Sequence, residues 1–288
     1  MTVRRAFTLL TLAALAVTGC GDDSDKEVTT KPSGGSDDLV LRVATGGGFV
    51  GPSSRLAEIP EVSVYADGRV ITIGPTTQEF PGPALPNLQE GQLDDAGLEQ
   101  LVAAIGDAGL LDDPPPDYGD PLITDAPTTV VTVNVNGVER TLSAYALDFE
   151  DNDDQLEPDQ REARQALRAL VRGFGGDDAT ATYEAESVAV FVRTNQAEEG
   201  SDDAPEPATR DWPLGDLAGA GEPYEGFDDT RCLLVTGADA QTVLTAAADA
   251  NEGDSWRSGS AEYDLVFRPL LPDETACADL SPEEVGGA

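Results

Sequence analysis

From Leu39 onward the chain alternates: Leu39, Leu41 and Val43 fall on one side of an extended run and Arg42 on the other, the two-residue period of a β-strand. A further pair of alternating runs, 61–66 and 69–73, flanks Asp67-Gly68. Asp-Gly supplies the positive φ angles of a two-residue hairpin turn. That turn pairs Val64 with Ile71 and Val62 with Ile73, placing all four on one face. Residues 74–91 are rich in proline and glycine and read as a loop. Over 93–111 the period changes: Leu98, Leu101, Val102 and Ile105 recur at helical spacing, with Asp94 or Asp95 as N-cap and Gly109 near the end. Pro114-Pro115-Pro116 then stops any continuation.

A second hairpin spans 129–135 and 138–145 around Asn136-Gly137. Its register puts Val131, Val133, Val135, Val138 and Leu142 on a dry face, with Thr132, Asn134, Glu139, Thr141 and Ser143 on a wet one. A helix over 158–173 follows, with Pro158 at its first position, Gly173 at its end, and Ala163, Ala166, Leu167, Leu170 and Val171 as the apolar stripe. Arg168 and Arg172 suit its C-terminal dipole. Glycine-rich 173–178 is the best domain boundary. Beyond it, strands are expected at 187–193, 232–236, 255–257 and 261–268, a helix at 239–248, and an acidic loop over 198–211. The pattern predicts an α+β fold: antiparallel sheets with helices packed on one face, in two domains at 39–176 and 177–288.

The N-terminus departs from this pattern. Arg4 and Arg5 precede an apolar run, 6–17, that is too short to span a bilayer. Val17-Thr18-Gly19-Cys20 then resembles the lipobox of bacterial lipoproteins. The resemblance implies that 1–19 is a signal peptide and that Cys20 carries the acyl chains, leaving the protein lipid-anchored on the extracytoplasmic face of the cell membrane. Several acyl chains hold where one does not. An ordinary secretory signal with a chance cysteine is the alternative. Residues 20–38 hold one aliphatic side chain, Val28, and read as a disordered spacer.

With Cys20 lipidated, Cys232 and Cys277 remain, and an even pair in an oxidising compartment reads as one disulfide. Two unpaired buried thiols are the alternative. Net charge sharpens the picture of partners: 17 basic against 55 acidic residues give −38. Nucleic acid is excluded, since a phosphate backbone rewards Lys and Arg. The acid excess is either a solvated surface or a means of holding a cationic partner or Ca²⁺.

Missing residue types limit the chemistry. The chain contains no histidine, which removes Ser-His-Asp and Cys-His catalysis and His-ligated metals. Its lysines, Lys26 and Lys31, sit in the spacer, so the folded body has no Schiff-base or phosphate-binding lysine. No cofactor is expected. A carboxylate pair acting on a glycosidic bond survives as a possibility. Asp148, Glu150, Asn152 and Asp154 alternate like a calcium loop, although the position that wants glycine is Asp153.

Gly47-Gly48-Phe49-Val50-Gly51, after the first strand, resembles the GGFxG segment of emfourin-like proteins, small inhibitors of thermolysin-type metallopeptidases. The order of helix, hairpin and helix through 39–174 is also similar. The resemblance implies that Gly47, Gly48, Phe49 and Gly51 lie near a partner-binding surface; taken on its own, Phe49 is a core aromatic after a glycine turn. The sequence thus predicts a tethered, non-catalytic binding or structural protein whose partner is a protease or an envelope protein. Solute capture for a transporter is a further alternative.

Overall fold

In the computed structural model, which describes residues 35–48, 51–174, 179–194 and 207–280, the first alternating runs become β1 (Leu39–Gly46), α1 (Pro52–Leu56), β2 (Val62–Tyr65), β3 (Arg69–Ile73) and β4 (Leu88–Gln92). There follow α2 (Asp95–Asp107), β5 (Thr128–Val135), β6 (Val138–Tyr145), α3 (Pro158–Gly173) and β7 (Ala179–Thr182). The remainder forms β8 (Ser187–Thr194), β9 (Thr209–Asp211), β10 (Glu222–Pro223), β11 (Thr230–Thr236), α4 (Gly237–Ala248), β12 (Ser255–Ser258) and β13 (Ala261–Pro269). One sheet has the order β6-β5-β1-β2-β3-β4-β7 and the other β10-β11-β8-β13-β12-β9. Pairing is antiparallel apart from β12 with β9. The fold is α+β.

The long helices start and stack as their sequences require. Asp94 caps α2 by accepting a hydrogen bond from the Gly97 amide at 2.8 Å. At α3 the Gln160 side chain accepts from the Glu157 amide at 3.1 Å, with Pro158 in the first turn. Leu98, Leu101, Val102 and Ile105 of α2 and Leu167 and Leu170 of α3 pack on one face of the first sheet, against Leu41, Val43, Val64, Val131 and Val133. In the second sheet, Ala240, Val243 and Ala247 of α4 cover Val188, Val190 and Val235.

The first hairpin differs from expectation by one residue. Val64 pairs with Val70 and Val62 with Thr72, because Ala66-Asp67-Gly68 makes a three-residue connection closed by the Gly68 amide on the Tyr65 carbonyl at 2.9 Å. Gly68 sits at φ +91°, and its own carbonyl accepts from the Leu93 amide at 2.8 Å. A one-residue shift turns a whole strand over. Val70 therefore faces the helices, while Ile71 joins Tyr65, Leu88 and Leu271 in a separate apolar cluster. A bulge between Leu39 and Leu41 sends Leu39 to that cluster as well. The second hairpin keeps the expected register, Val135 opposite Val138 and Val131 opposite Leu142.

Three further expectations are revised. β4 takes in the end of the stretch read as a loop, 74–91, since Leu88-Gln89-Glu90-Gly91-Gln92 has no alternation and takes its structure from β3 and β7 on either side. The boundary expected at 176 falls before β7, which completes the first sheet; Gly173 ends a helix, and the chain changes sheets between Thr182 and Ser187. The last residues of the expected spacer are folded: Asp38 bonds the Gly35 amide at 2.7 Å, and Asp37 pairs with Arg69.

Gly68 gives the hairpin its test. A Cβ there would lie 2.4 Å from the Leu93 carbonyl oxygen, whereas one at Gly137, φ +78°, meets nothing within 4 Å. Gly68→Ala should lose at least about 2 kcal/mol by urea denaturation, and Gly137→Ala about 1 kcal/mol. Equal losses would mean that contact with Leu93 does not set the turn.

Candidate binding site

β11 carries different chemistry on its two faces. Cys232 looks to one side, where it is joined to Cys277 with a Cα separation of 6.2 Å and packs with Phe191, Tyr224 and Leu270. Leu233 and Val235 look to the other, and there the loop from Trp212 to Ala220 crosses in front of them. A groove of about 370 Å³ lies between, walled by Trp212, Leu214, Leu233 and Val235, with Asp216 and Asp239 at its rim. Trp212 is itself wedged edge-on against Trp256 at 6.2 Å, and Trp256 against Phe267 at 5.2 Å.

The loop is held rigidly. Arg231 donates to the carbonyls of Gly219, Ala220 and Gly221, and Ser258 Oγ accepts from the Leu217 amide at 3.0 Å. The Trp212 amide bonds the Arg257 carbonyl at 2.9 Å. These bonds tie the wall to β11 and β12.

Where the two sheets meet, the interior is charged. Arg268 and Glu274 form a two-pronged pair, with Nη2 to Oε1 at 2.8 Å and both side chains 4% exposed. Glu274 also accepts from the Leu271 amide at 2.7 Å, and Arg268 Nε donates to the Glu58 carbonyl at 3.1 Å. Next to it, Asp273 accepts from Arg42 at 2.7 Å and from the Tyr65 hydroxyl at 2.9 Å. Burial, then the Asp273 charge, push the Tyr65 pKa far up, so the phenol stays a neutral donor. Burial works against charge on Arg42, but Asp273 and its neighbours outweigh it and raise its pKa.

Charge is also buried under α3. Asp153 pairs with Arg164 at 2.8 Å and with Arg168. Arg164 is fully buried and further donates to the Tyr118, Tyr145 and Ala146 carbonyls. Burial lowers its pKa and Asp153 opposes that shift. Arg168 donates to the Leu147 carbonyl at 2.7 Å, so this residue, which the helix pattern marked as suiting the C-terminal dipole, lies in the interior.

The other residues singled out in the sequence fall as follows. Gly47 and Gly48 take positive φ angles, +81° and +72°, and the Gly47 amide is drawn to the Glu58 carboxylate. Gly51 precedes α1; Phe49 and Cys20 lie outside the described residues. Asp148 and Asp154 are exposed in and before a 3-10 turn, Glu150–Gln155, and Glu150 turns to Arg172. These carboxylates do not converge, and among the described residues no group of three acids or cysteines is placed to hold a metal ion. Nor is any described helix long and apolar enough to cross a membrane. The groove residues escaped notice because they come from separate segments. Their only local mark is consecutive apolar residues at Leu233-Leu234-Val235, which require burial on both faces of a strand.

Comparison of the chain with protein-family models, with characterised proteins and with solved structures returns no match.

The interior charges differ in consequence from surface ones. Glu274→Gln leaves Arg268 buried without its counter-charge and should cost about 3 kcal/mol or more in urea denaturation. Glu150→Gln, whose partner Arg172 is exposed, should leave the midpoint unchanged. A Glu274→Gln protein as stable as the parent would show that the pair does not hold the sheets together.

Proposed function

We propose that this chain is an extracytoplasmic lipoprotein, tethered to the membrane through acylated Cys20, whose folded body binds another protein and catalyses no reaction. The observation that carries the reading is the Cys232–Cys277 disulfide. Such bonds persist where thiols are not kept reduced, which agrees with the charged start, short apolar run and Val17-Thr18-Gly19-Cys20 box. With both body cysteines bonded, no free thiol remains there as a nucleophile. Neither histidine nor lysine is available in the folded body. A groove walled by Trp212, Leu214, Leu233 and Val235, whose charged groups are Asp216 and Asp239, offers a contact surface for another protein, and a net charge of −38 turns nucleic acid away.

Fractionation tests the anchor. The parent should sediment with membranes and Cys20→Ala should appear in the soluble fraction; a variant still sedimenting after an alkaline wash refutes the tether. On the mature parent, thiol titration should find none before reduction and two after it. Hydrolysis by the purified protein, abolished by one carboxylate substitution, would overturn the non-catalytic reading.

A further inference from the structure

The outer edge of the second sheet is left half open. β10 is two residues long and pairs only with Cys232 and Arg231. At Gly221, φ +74°, the chain peels away: its Cα is so near β11 that a Cβ would lie 2.4 Å from the Cys232 carbonyl oxygen. Among the described residues no strand then covers the outer side of Leu233–Thr236, although β8 pairs with all four on the inner side.

Strand alternation says which groups face out. The Thr230 carbonyl points outward, accepting from the Tyr224 amide at 2.9 Å, and the Gly237 amide points inward to Glu186 at 3.2 Å. Counting in twos, the amide and carbonyl of Leu234 and the amide of Thr236 face outward, the Thr236 carbonyl lying at the N-cap of α4. They open beside the groove of Trp212, Leu214, Leu233 and Val235. Unpaired strand edges are templates for another strand, and an apolar wall alongside supplies a seat for its alternate side chains.

We propose that this edge takes up an extended, basic segment of a partner protein as an added strand: apolar side chains enter the groove, and its Lys or Arg side chains are held by the negative field of Asp216, Asp239 and the rest of the chain. The proposal rests on the binding-protein reading and gives it a site and a ligand class. The charge argument decides between occupants. Both rim residues are acidic and the chain carries −38, so a second copy is repelled where a cationic strand is drawn in.

Acetylated, amidated (Val-Lys)₄ is a suitable probe, titrated into the purified oxidised full-length chain in neutral detergent. Its controls are (Val-Glu)₄ and a (Val-Lys)₄ methylated on alternate backbone nitrogens. Gly215→Phe is the blocking variant, since Gly215 is exposed and a Cβ there meets no atom within 4 Å. The expected result is binding of (Val-Lys)₄ with slowed amide exchange at Leu234 and Thr236, weakened at least about tenfold by backbone methylation or by Gly215→Phe, and none with (Val-Glu)₄. Equal binding to the methylated peptide and to the variant would reduce the effect to unspecific attraction and overturn the proposal. So would absence of binding at millimolar peptide, or a dimer formed through this edge in sedimentation. Circular dichroism of Gly215→Phe confirms that it folds. Loss of strand addition leaves the Cys20 fractionation result untouched, so the site and the tether fail separately.

Discussion

The Arg268–Glu274 pair is the contact on which the arrangement of the two sheets depends. It sits where β13 runs out into the C-terminal segment, and its remaining hydrogen-bonding capacity goes to the Leu271 amide, the Pro269 carbonyl and the Glu58 carbonyl. Consecutive residues then serve different sheets: Leu270 packs with Phe191 and Cys232, and Leu271 with Tyr65 and Ile71. Asp273 fastens the first sheet by way of Arg42 and Tyr65. A buried ion pair adds little net stability over apolar packing, but separating its members strands a charge.

This junction explains why the first sheet has apolar residues on both faces. One face meets α2 and α3. The other meets Leu271, with Ile59 and Tyr183 beside it, and the Tyr183 hydroxyl bonds the Leu270 carbonyl at 2.8 Å. The same C-terminal segment carries Cys277 back to β11, where the disulfide and the Tyr224 hydroxyl on the Leu280 carbonyl hold it down. β11 is thus braced from behind and from β8, and among the described residues no strand covers its outer edge beyond Cys232.

Arginine is used mainly to hold the fold together. Arg42, Arg164, Arg168, Arg210, Arg231 and Arg268 all donate to carboxylates or carbonyls of the chain itself. The folded body has no lysine. Positive charge is therefore committed to internal contacts while most acids remain in water, and the field around the protein is strongly negative.

Short-range features were legible because short-range physics decides them. Asp94 and Pro158 announce helix starts, Asn136-Gly137 a two-residue turn, and the 3.6-residue period the buried face of α2. Disulfide pairing likewise follows from residue type and count. What eluded the sequence lies between segments. Ile71 changes face because Gly68 is pressed against Leu93, a contact invisible in the Asp-Gly dipeptide; β4 is a strand only because β3 and β7 flank it; Arg164 and Arg168 are interior because Asp153 waits beneath them. The groove is the extreme case: Trp212, Leu233 and Asp239 become neighbours only when a loop, a strand and a helix are brought together. Local pattern determines which elements form, but their register and partners rest on contacts between residues far apart in the chain, and those exist only in the folded protein.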